Sequence, residues 1–321
     1  MNRSMDYNTK TFLVTGGAGL VGSHIVDELV KNNAGKIVII DNFTRGQMKN
    51  LKWAENNGNL KIIDDDILNY KLLKELMIGV DTVFHQAAIR ITECADNPVL
   101  AHDVMATGTI NVAKAAVESK VRKVITASSA SIYGQAKDFP TKENHHPYAN
   151  DTFYGATKIY LEGIFRSFKA MYDLDYVALR YFNIYGPRMD TDGKYTEVII
   201  RWLDCIEKDI QPLIFGDGNI SMDLINVKDV ARANILAMES DVVDDVFNIG
   251  SQNEITLSEL LKLILKVNKS SLKPKFENER AVNSVVRRLA DTSRAKTVLK
   301  FSPIFSLEEG LLELSQLYFN L

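Results

Sequence analysis

The first half of the chain alternates short apolar runs with longer segments of helical spacing, and this alternation limits the possible folds more than any other feature. Largely apolar runs of strand length occupy residues 11–17, 36–42, 59–67, 80–88, 121–129 and 175–183. Such runs are typical of parallel strands that are covered on both faces. The pattern therefore predicts an α/β fold, a doubly wound parallel sheet of the Rossmann type, which binds ligands at the carboxyl ends of its strands.

The rhythm changes after residue 183. Residues 186–196 resemble a loop, 197–208 have helical spacing, and the stretch "QPLIFGDG" predicts a strand that runs into a polar turn. The stretch "LINVKDVARANILAMES" predicts a return to the main sheet followed by a helix. We therefore expect a Rossmann domain of residues 1–183 with 226–249, and a smaller C-terminal α+β substrate domain of residues 184–225 and 250–321.

Composition narrows the class of protein. Of the 321 residues 25% are charged, with a net charge of −3, which gives no electrostatic reason to expect nucleic acid or an anionic membrane as the main partner. Cys94 and Cys205 are too few for a disulfide framework, which favours a reducing cytosol. We expect a cytoplasmic protein without a membrane span, because no run approaches the roughly 18 apolar residues that a span requires and the start lacks a signal-peptide pattern.

A glycine-rich stretch, "VTGGAGLVGSH", follows the first predicted strand and leads into a helix. Gly16, Gly19 and Gly22 allow a sharp turn, close approach of the backbone to a pyrophosphate, and packing of the helix on the sheet. Asp41 ends the second predicted strand, where a carboxylate accepts hydrogen bonds from the adenosine ribose and repels a 2′-phosphate. These features predict NAD rather than NADP as the cofactor, and Arg45 is close enough in sequence to soften that preference.

Three stretches place a lysine four residues after a tyrosine: Tyr70 with Lys74, Tyr133 with Lys137, and Tyr154 with Lys158. Transfer of a hydride from an alcohol carbon needs a base for the hydroxyl proton, and a tyrosine with a pKa of about 10 is a poor base at neutral pH. A lysine one helical turn away favours the phenolate, as does a nearby nicotinamide cation.

Only one of the three pairs fits a helix beside the cofactor. Tyr70 has no serine-bearing strand before it, and Tyr133 lies on a loop next to a glycine. Tyr154 begins an amphipathic pattern after Ser129, which stands at the end of the predicted strand "KVITASS". We therefore predict Ser129, Tyr154 and Lys158 as the catalytic set and no metal.

The motifs "TGGAGLVGSH", "HQAA", "SSASIYG", "YGATK", "RYFNIYGPR" and "FGDGN…MDLINVKDV" together cover nearly the whole chain. Because these motifs occur in the family order, the chain resembles the extended short-chain dehydrogenase/reductases. Within them it is similar to the nucleotide-sugar epimerase and dehydratase family related to UDP-glucose 4-epimerase. The resemblance implies the same three catalytic residues. It also implies that Asn183 meets the nucleotide diphosphate, and it implies these NAD-binding residues: Gly16, Gly19, Leu20, Val21, Gly22, Asp41, Asn42, Asp66, Ile67, Ala87, Ala88, Tyr154 and Lys158.

Two departures from the family pattern concern the substrate. Met222 stands where relatives commonly have an arginine for the diphosphate, and a thioether cannot replace a bidentate cation. Arg280, Arg287 and Arg288 lie where the family usually offers another such arginine, and we assign substrate binding to Arg288, with a solvated basic run as the alternative. Met105 replaces an asparagine that many relatives place near the nicotinamide.

The residues after Ser129 bear on the reaction. Dehydratases of the family usually carry Asp-Glu at this point and uronate decarboxylases a glutamate, whereas this chain has Ala130 and Ser131. The resemblance therefore implies an NAD-dependent nucleotide-sugar 4-epimerase that works through a transient 4-keto sugar. The alternatives are a dehydrogenase that releases the 4-keto sugar and, in another class, a non-catalytic NAD sensor. The expected substrate is a UDP-, GDP-, CDP- or dTDP-sugar, and helices over 98–118 and 153–171 would form a homodimer as in relatives.

Overall fold

The computed structural model describes residues 5–191, 197–278 and 285–320. Its main sheet has seven strands, all parallel, in the order β10-β6-β5-β4-β1-β2-β3. The predicted doubly wound sheet is therefore confirmed. The strands are β1 (Thr11–Thr15), β2 (Lys36–Asp41), β3 (Leu60–Asp64), β4 (Thr82–His85), β5 (Lys123–Ser129), β6 (Tyr176–Tyr181) and β10 (Asp245–Ile249).

Two apolar clusters cover the two faces of this sheet, because successive side chains along each strand point to opposite faces. Phe12 and Val14 pack in one cluster, and Leu13 packs in the other. The flanking helices are α1 (Leu20–Lys31), α2 (Lys52–Asn57), α3 (Tyr70–Leu76), α4 (Ile91–Asp96), α5 (Pro98–His102), α6 (Gly108–Glu118), α7 (Phe153–Tyr172), α9 (Val227–Glu239) and α11 (Ser293–Val298).

The region predicted as one helix over 98–118 is interrupted. Helices α5 and α6 are separated by a π-helical segment, Asp103–Thr107, that contains the buried side chain of Met105. Such segments occur often at functional sites.

A smaller body of structure carries the remaining elements. A three-stranded sheet has the order β11-β9-β7, and β8 pairs with β12. Its apolar cluster includes Trp202, Leu260 and Leu311. The elements are β7 (Asn183–Tyr185), α8 (Val198–Glu207), β8 (Leu213–Phe215), β9 (Ser221–Asn226), β11 (Glu254–Thr256), α10 (Leu257–Val267), β12 (Lys275–Glu277) and α12 (Leu307–Phe319).

One strand lies in a different sheet from the one predicted. The apolar "LIN" at the start of "LINVKDV" belongs to β9, which pairs with β7 and β11 instead of returning to the main sheet. The return is made by β10, which pairs with β6. The apolar pattern of a strand reports its burial but not its partner, so this prediction was wrong.

Candidate active site

The glycine loop lies directly after β1, and its backbone leaves no room for side chains. Gly16 has a φ of 64°, and a Cβ there would lie 2.8 Å from the Ala87 amide nitrogen. A Cβ on Gly22 would lie 2.2 Å from the Gly16 carbonyl oxygen. The loop therefore reaches the first turn of α1 with its amides open to a ligand, as a pyrophosphate requires.

Asp41 is the last residue of β2, and it ties this loop to the next one. Its Oδ2 accepts a hydrogen bond from the Ala18 amide at 2.8 Å, and its Oδ1 accepts one from the Phe43 amide at 2.9 Å. Burial raises the pKa of the carboxyl, while these two amide bonds oppose the shift. A Cβ on Gly46 would lie 2.6 Å from Oδ1, so the adjoining loop passes close over the carboxylate.

A cleft of about 920 Å³ runs along the carboxyl ends of the strands. At one side Asn42 donates to Asp66 at 2.7 Å, beside Ile67. Asn183 and Arg288 are not among the residues that line the cleft. The sequence-predicted residues that do line it are Gly16, Gly19, Leu20, Val21, Gly22, Asp41, Asn42, Asp66, Ile67, Ala87, Ala88, Ser129, Tyr154 and Lys158.

The predicted catalytic side chains lie close together because the carboxyl end of β5 and the first turn of α7 are neighbours in space. Ser129 is the last residue of β5, and Tyr154 lies in the first turn of α7, whose N-cap Thr152 accepts from the Gly155 amide at 3.1 Å. Ser129 lies close enough to the Tyr154 phenol to lower its pKa. Lys158 lies one turn further on, with its Nζ 5.6 Å from the centre of the Tyr154 ring and donating to the Ala127 carbonyl oxygen at 2.7 Å.

Burial dominates the electrostatics of these groups. It raises the pKa of Tyr154 to about 12, and Ser129 and the charges of Arg288 and Arg45 act in the opposite direction. Burial also lowers the pKa of Lys158 to about 8. Because burial outweighs these groups, the phenol stays protonated at neutral pH. A further positive charge must therefore help to form a phenolate.

The other two tyrosine–lysine pairs lie outside this arrangement. The Tyr70 hydroxyl donates to Glu118 at the surface, and Lys74 forms an ion pair with the same carboxylate at 2.8 Å. The buried Tyr133 hydroxyl donates to Asn248 at 2.7 Å, far along the chain, and Lys137 is exposed. Neither phenol lines the cleft.

His85 is a structural residue of the buried sheet. Its ring nitrogens lie 2.8 Å from the Thr15 hydroxyl and 3.1 Å from the Thr109 hydroxyl. The Thr109 hydroxyl donates to the Met105 carbonyl oxygen, so it accepts from His85. Burial lowers the pKa of this histidine to about 3, which keeps it neutral.

The substrate-side residues have varied surroundings. Asn183 Nδ2 donates to the Asp223 carbonyl oxygen at 3.1 Å, and Met222 packs in the apolar cluster of the smaller body. Arg287 forms an ion pair with Glu254 at 2.7 Å. Arg288 Nη1 donates to the Ala130 carbonyl oxygen at 2.7 Å, next to Ser129, and Arg280 lies outside the described residues.

Met105 lies beside the side chain of Tyr154. It packs with Cys94 and Ala101, and the Tyr154 side chain lies against this group. The Thr157 hydroxyl contacts the Met105 sulfur at 3.6 Å. An apolar residue at this position supports the phenol by packing and leaves it without an amide partner.

Sequence reasoning missed three ion pairs in the cleft. Asp27 on α1 pairs with Arg188 at 2.7 Å, and Arg45 and Arg90 both approach Asp190, at 3.7 and 3.4 Å. They join the cofactor-side loop and helix to residues 186–191. The paired residues lie 100 or more positions apart in the chain. The motif "YGPR" indicated a loop in this region but not the contacts that the loop makes.

A parallel Rossmann sheet with a glycine cradle, an acidic residue after β2 and a Ser–Tyr–Lys set at the cleft defines a dinucleotide-dependent enzyme. The model of the NAD dependent epimerase/dehydratase family matches residues 12–250. The chain belongs to this family, and NAD is its cofactor. The glycine loop, Asp41 and the Asn42–Asp66 pair are the groups that would hold this cofactor.

Relatives of known sequence or structure agree over almost the full length. The chain is 34% identical over 304 residues to a putative UDP-glucose 4-epimerase of Methanocaldococcus jannaschii, covering 93% of this chain and 95% of that one. It is 34% identical over 322 residues to a UDP-N-acetyl-alpha-D-glucosaminuronate decarboxylase of Bacillus cytotoxicus, covering 96% and 97%.

A solved structure is similarly close. A UDP-N-acetylglucosamine 4-epimerase of Methanobrevibacter ruminantium, in complex with UDP-N-acetylmuramic acid, superposes with a TM-score of 0.91 at 35% identity. The match covers 97% of this chain and 98% of that one.

Proposed function

We propose that the protein is an NAD-dependent nucleotide-sugar 4-epimerase that works through a transient 4-keto sugar. The observation that carries this proposal is that Ser129, Tyr154 and Lys158 line the same cleft as Asp41 and the glycine loop. A sugar hydroxyl beside Tyr154 would then lie at the reacting end of the dinucleotide.

Tyr154 would move the proton of the reaction. As a phenolate it accepts the proton of the sugar 4-hydroxyl while the C4 hydride leaves, and it returns that proton when the hydride comes back to the opposite face. Ser129 holds the same oxygen by hydrogen bonding. When bound, NAD accepts and returns the hydride, and the positive charge of its nicotinamide favours the phenolate.

The cations around Tyr154 assist this step. Arg45 and Arg288 already lower the pKa of the phenol against the effect of burial. Lys158 is held by the Ala127 carbonyl within 5.6 Å of the ring, so its charged form adds to the same field. Each of these charges acts more strongly in the buried cleft than it would in water.

Ala130 and Ser131 support epimerisation over the other reactions of the family. Neither side chain has a carboxyl group that could expel a C6 hydroxyl or assist loss of CO₂. The relatives named above act on UDP-linked sugars, which supports UDP as the nucleotide. A dehydrogenase that releases the 4-keto sugar is the alternative, because it would begin with the same residues.

The test is incubation of the protein and NAD with UDP-, GDP-, CDP- and dTDP-linked sugars, followed by mass spectrometry and NMR. A product of unchanged mass with inverted configuration at C4 supports the epimerase. A product that has lost two hydrogens, with NADH formed in equal amount, identifies the dehydrogenase and rejects the proposal.

We further propose the roles of the two domains, the oligomeric state and the cellular compartment of the enzyme. Residues 1–183 with 226–249 would bind NAD, and residues 184–225 with 250–321 the nucleotide sugar. Exposed apolar side chains on α5 and α7, Val99 and Tyr160, support a homodimer through these helices. Both cysteines are free thiols, in keeping with the cytoplasm. Among the described helices, none has the length and apolar character to cross a bilayer. For the proposed homodimer, light scattering of the purified protein would give twice the mass of one chain.

A further inference from the structure

Arg288 stands on a segment that is held in place on both sides. Its amide donates to the Ser221 carbonyl oxygen of β9 at 3.1 Å. On the other side, Thr141 donates to the Leu289 carbonyl oxygen at 2.8 Å and accepts from the Asp291 amide at 2.9 Å. Ala290, which is fully buried, packs with Ala130 in one apolar cluster. The backbone of Arg288 is therefore rigid, as a binding residue requires.

The side chain of Arg288 extends from this segment toward the catalytic group. Nη1 donates to the carbonyl oxygen of Ala130, the residue after Ser129, at 2.7 Å. Its charge is close enough to Tyr154 to favour the phenolate. The guanidinium thus lies next to Ser129, beside the end of the cleft where C4 of the sugar would react, although it is not among the residues that line the cleft. This position distinguishes it from an arginine placed for the diphosphate.

The surroundings of this guanidinium suit an anion. The side chain is partly buried, and desolvation lowers its pKa to about 10, so it remains a cation at neutral pH. Within the described ranges its side-chain hydrogen bond goes to a neutral carbonyl, which uses one of five N–H donors. The charges that act on the guanidinium are those of the Asp151 carboxylate and the Tyr154 phenol. Arg287 differs, because Glu254 already binds it through both carboxylate oxygens.

We propose, resting on the 4-epimerase function above, that Arg288 binds a carboxylate at C5 of the sugar, so that the substrate is a nucleotide-linked uronic acid. The carboxyl carbon of a uronate is two bonds from C4, so binding of C4 at Tyr154 brings the carboxylate to the region of Arg288. A carboxylate offers the guanidinium two charge-assisted hydrogen bonds, whereas the hydroxymethyl group of a neutral hexose offers neither the charge nor the second acceptor.

The ion pair would also protect the intermediate. A 4-keto uronate is a β-keto acid, and loss of CO₂ would break the C5–C6 bond and move its electron pair toward the C4 oxygen. Arg288 stabilises the negative charge on the carboxylate before that bond breaks, which disfavours its loss. The hydride then returns to C4 before the carbon skeleton changes.

The experiment measures kcat/KM of the NAD-loaded enzyme for UDP-glucuronic acid and for UDP-glucose, with UDP-N-acetylmuramic acid as a third substrate. We expect UDP-glucuronic acid to be the best of the three and to give its 4-epimer. In Arg288→Gln the ratio of kcat/KM for UDP-glucuronic acid to that for UDP-glucose should fall by about 30-fold or more, mainly through KM, because one partner of a desolvated charge pair is lost. Arg288→Lys should restore part of the ratio.

Arg287→Gln is the matched control, since it removes the neighbouring guanidinium from an ion pair with Glu254 and should leave the ratio as it is in the wild type. A wild-type preference for UDP-glucose, or an equal loss for both sugars in Arg288→Gln, would overturn the carboxylate assignment. A preference for the muramic acid would place the carboxylate at C3 and reject the uronate. If none of the nucleotide sugars is isomerised, the 4-epimerase function itself is rejected.

Discussion

The two ends of β5 hold two buried lysines with the same shift in pKa and different surroundings. Lys123 begins the strand, and Lys158 reaches its carboxyl end from α7; burial lowers the pKa of each to about 8. Lys123 Nζ donates to the carbonyl oxygens of Ala237 and Ser240, both at 2.8 Å, at the C-terminus of α9. Lys158 Nζ donates to the Ala127 carbonyl oxygen beside the ring of Tyr154.

A perturbed pKa therefore does not identify a catalytic group by itself. At the amino end of the strand, the ammonium group closes a helix end, where carbonyl groups and the helix dipole favour a cation. At the carboxyl end, a similar group faces a cleft and a phenol. The neighbours of each lysine, and not the burial that the two share, distinguish a structural lysine from a candidate catalytic one.

The largest effect is expected for Tyr154, the group that Lys158 accompanies. Tyr154→Phe removes the proton acceptor and should lower kcat by about 10²–10⁴-fold. Tyr133→Phe is the control, because that buried phenol bonds Asn248 outside the cleft and should affect stability alone. Turnover is measured by NMR with the best nucleotide sugar. Unchanged turnover in Tyr154→Phe would remove it from the mechanism and favour an NAD sensor.

Exchanging each lysine for methionine tests the comparison directly. Lys158→Met should lower kcat by about 10²-fold, at the lower end of such losses, while the fold should gain stability at neutral pH because a buried charge is removed. Lys123→Met should keep kcat but lower the free energy of unfolding by about 1–3 kcal/mol, since it takes a donor from Ala237 and Ser240. Kinetics and urea unfolding check both. Equal losses of activity in the two variants would end the distinction.

A smaller effect is expected at Asp41, at the carboxyl end of β2. Asp41→Ala should weaken NAD binding by about tenfold or more and reduce the discrimination against NADP, because the acceptor for the ribose hydroxyls is lost. Calorimetric titration with both dinucleotides measures this. Equal affinity of variant and wild type for NAD would exclude Asp41 from the cofactor site.

The smallest effect concerns pH. Each lysine has a pKa of about 8 in the folded chain and 10.5 in its ordinary state, so the unfolded chain binds more protons between these values. Stability supplied by these groups therefore rises with pH across this window. Relative to the wild type, Lys158→Met should gain most below about pH 8 and lose that gain toward pH 10.5. A difference in unfolding free energy that is flat with pH would contradict the buried charge.

Much of the fold could be predicted because the apolar runs are long and their spacing is unambiguous. The six strands predicted before residue 184 overlap β1 to β6, and the fold class, family and cofactor are confirmed. The catalytic, cofactor-binding and substrate-binding residues remain predictions, although all of them except the substrate-binding Asn183 and Arg288 line one cleft. The sheet that receives β9 could not be predicted, because both possible neighbours offer the same backbone hydrogen bonds.

The sequence by itself determined the βαβ rhythm, the glycine loop with Asp41, and the spacing of Tyr154 and Lys158 on one helix. These are local properties, since they depend on periodicity, on the absence of a Cβ and on the rise of an α-helix. Only the tertiary structure decided that Arg288 reaches Ala130, that Asp27 meets Arg188 and that Lys123 caps α9. Each of these contacts joins residues more than 100 positions apart, and no local pattern encodes such a pairing, because it depends on how the finished sheets and helices pack.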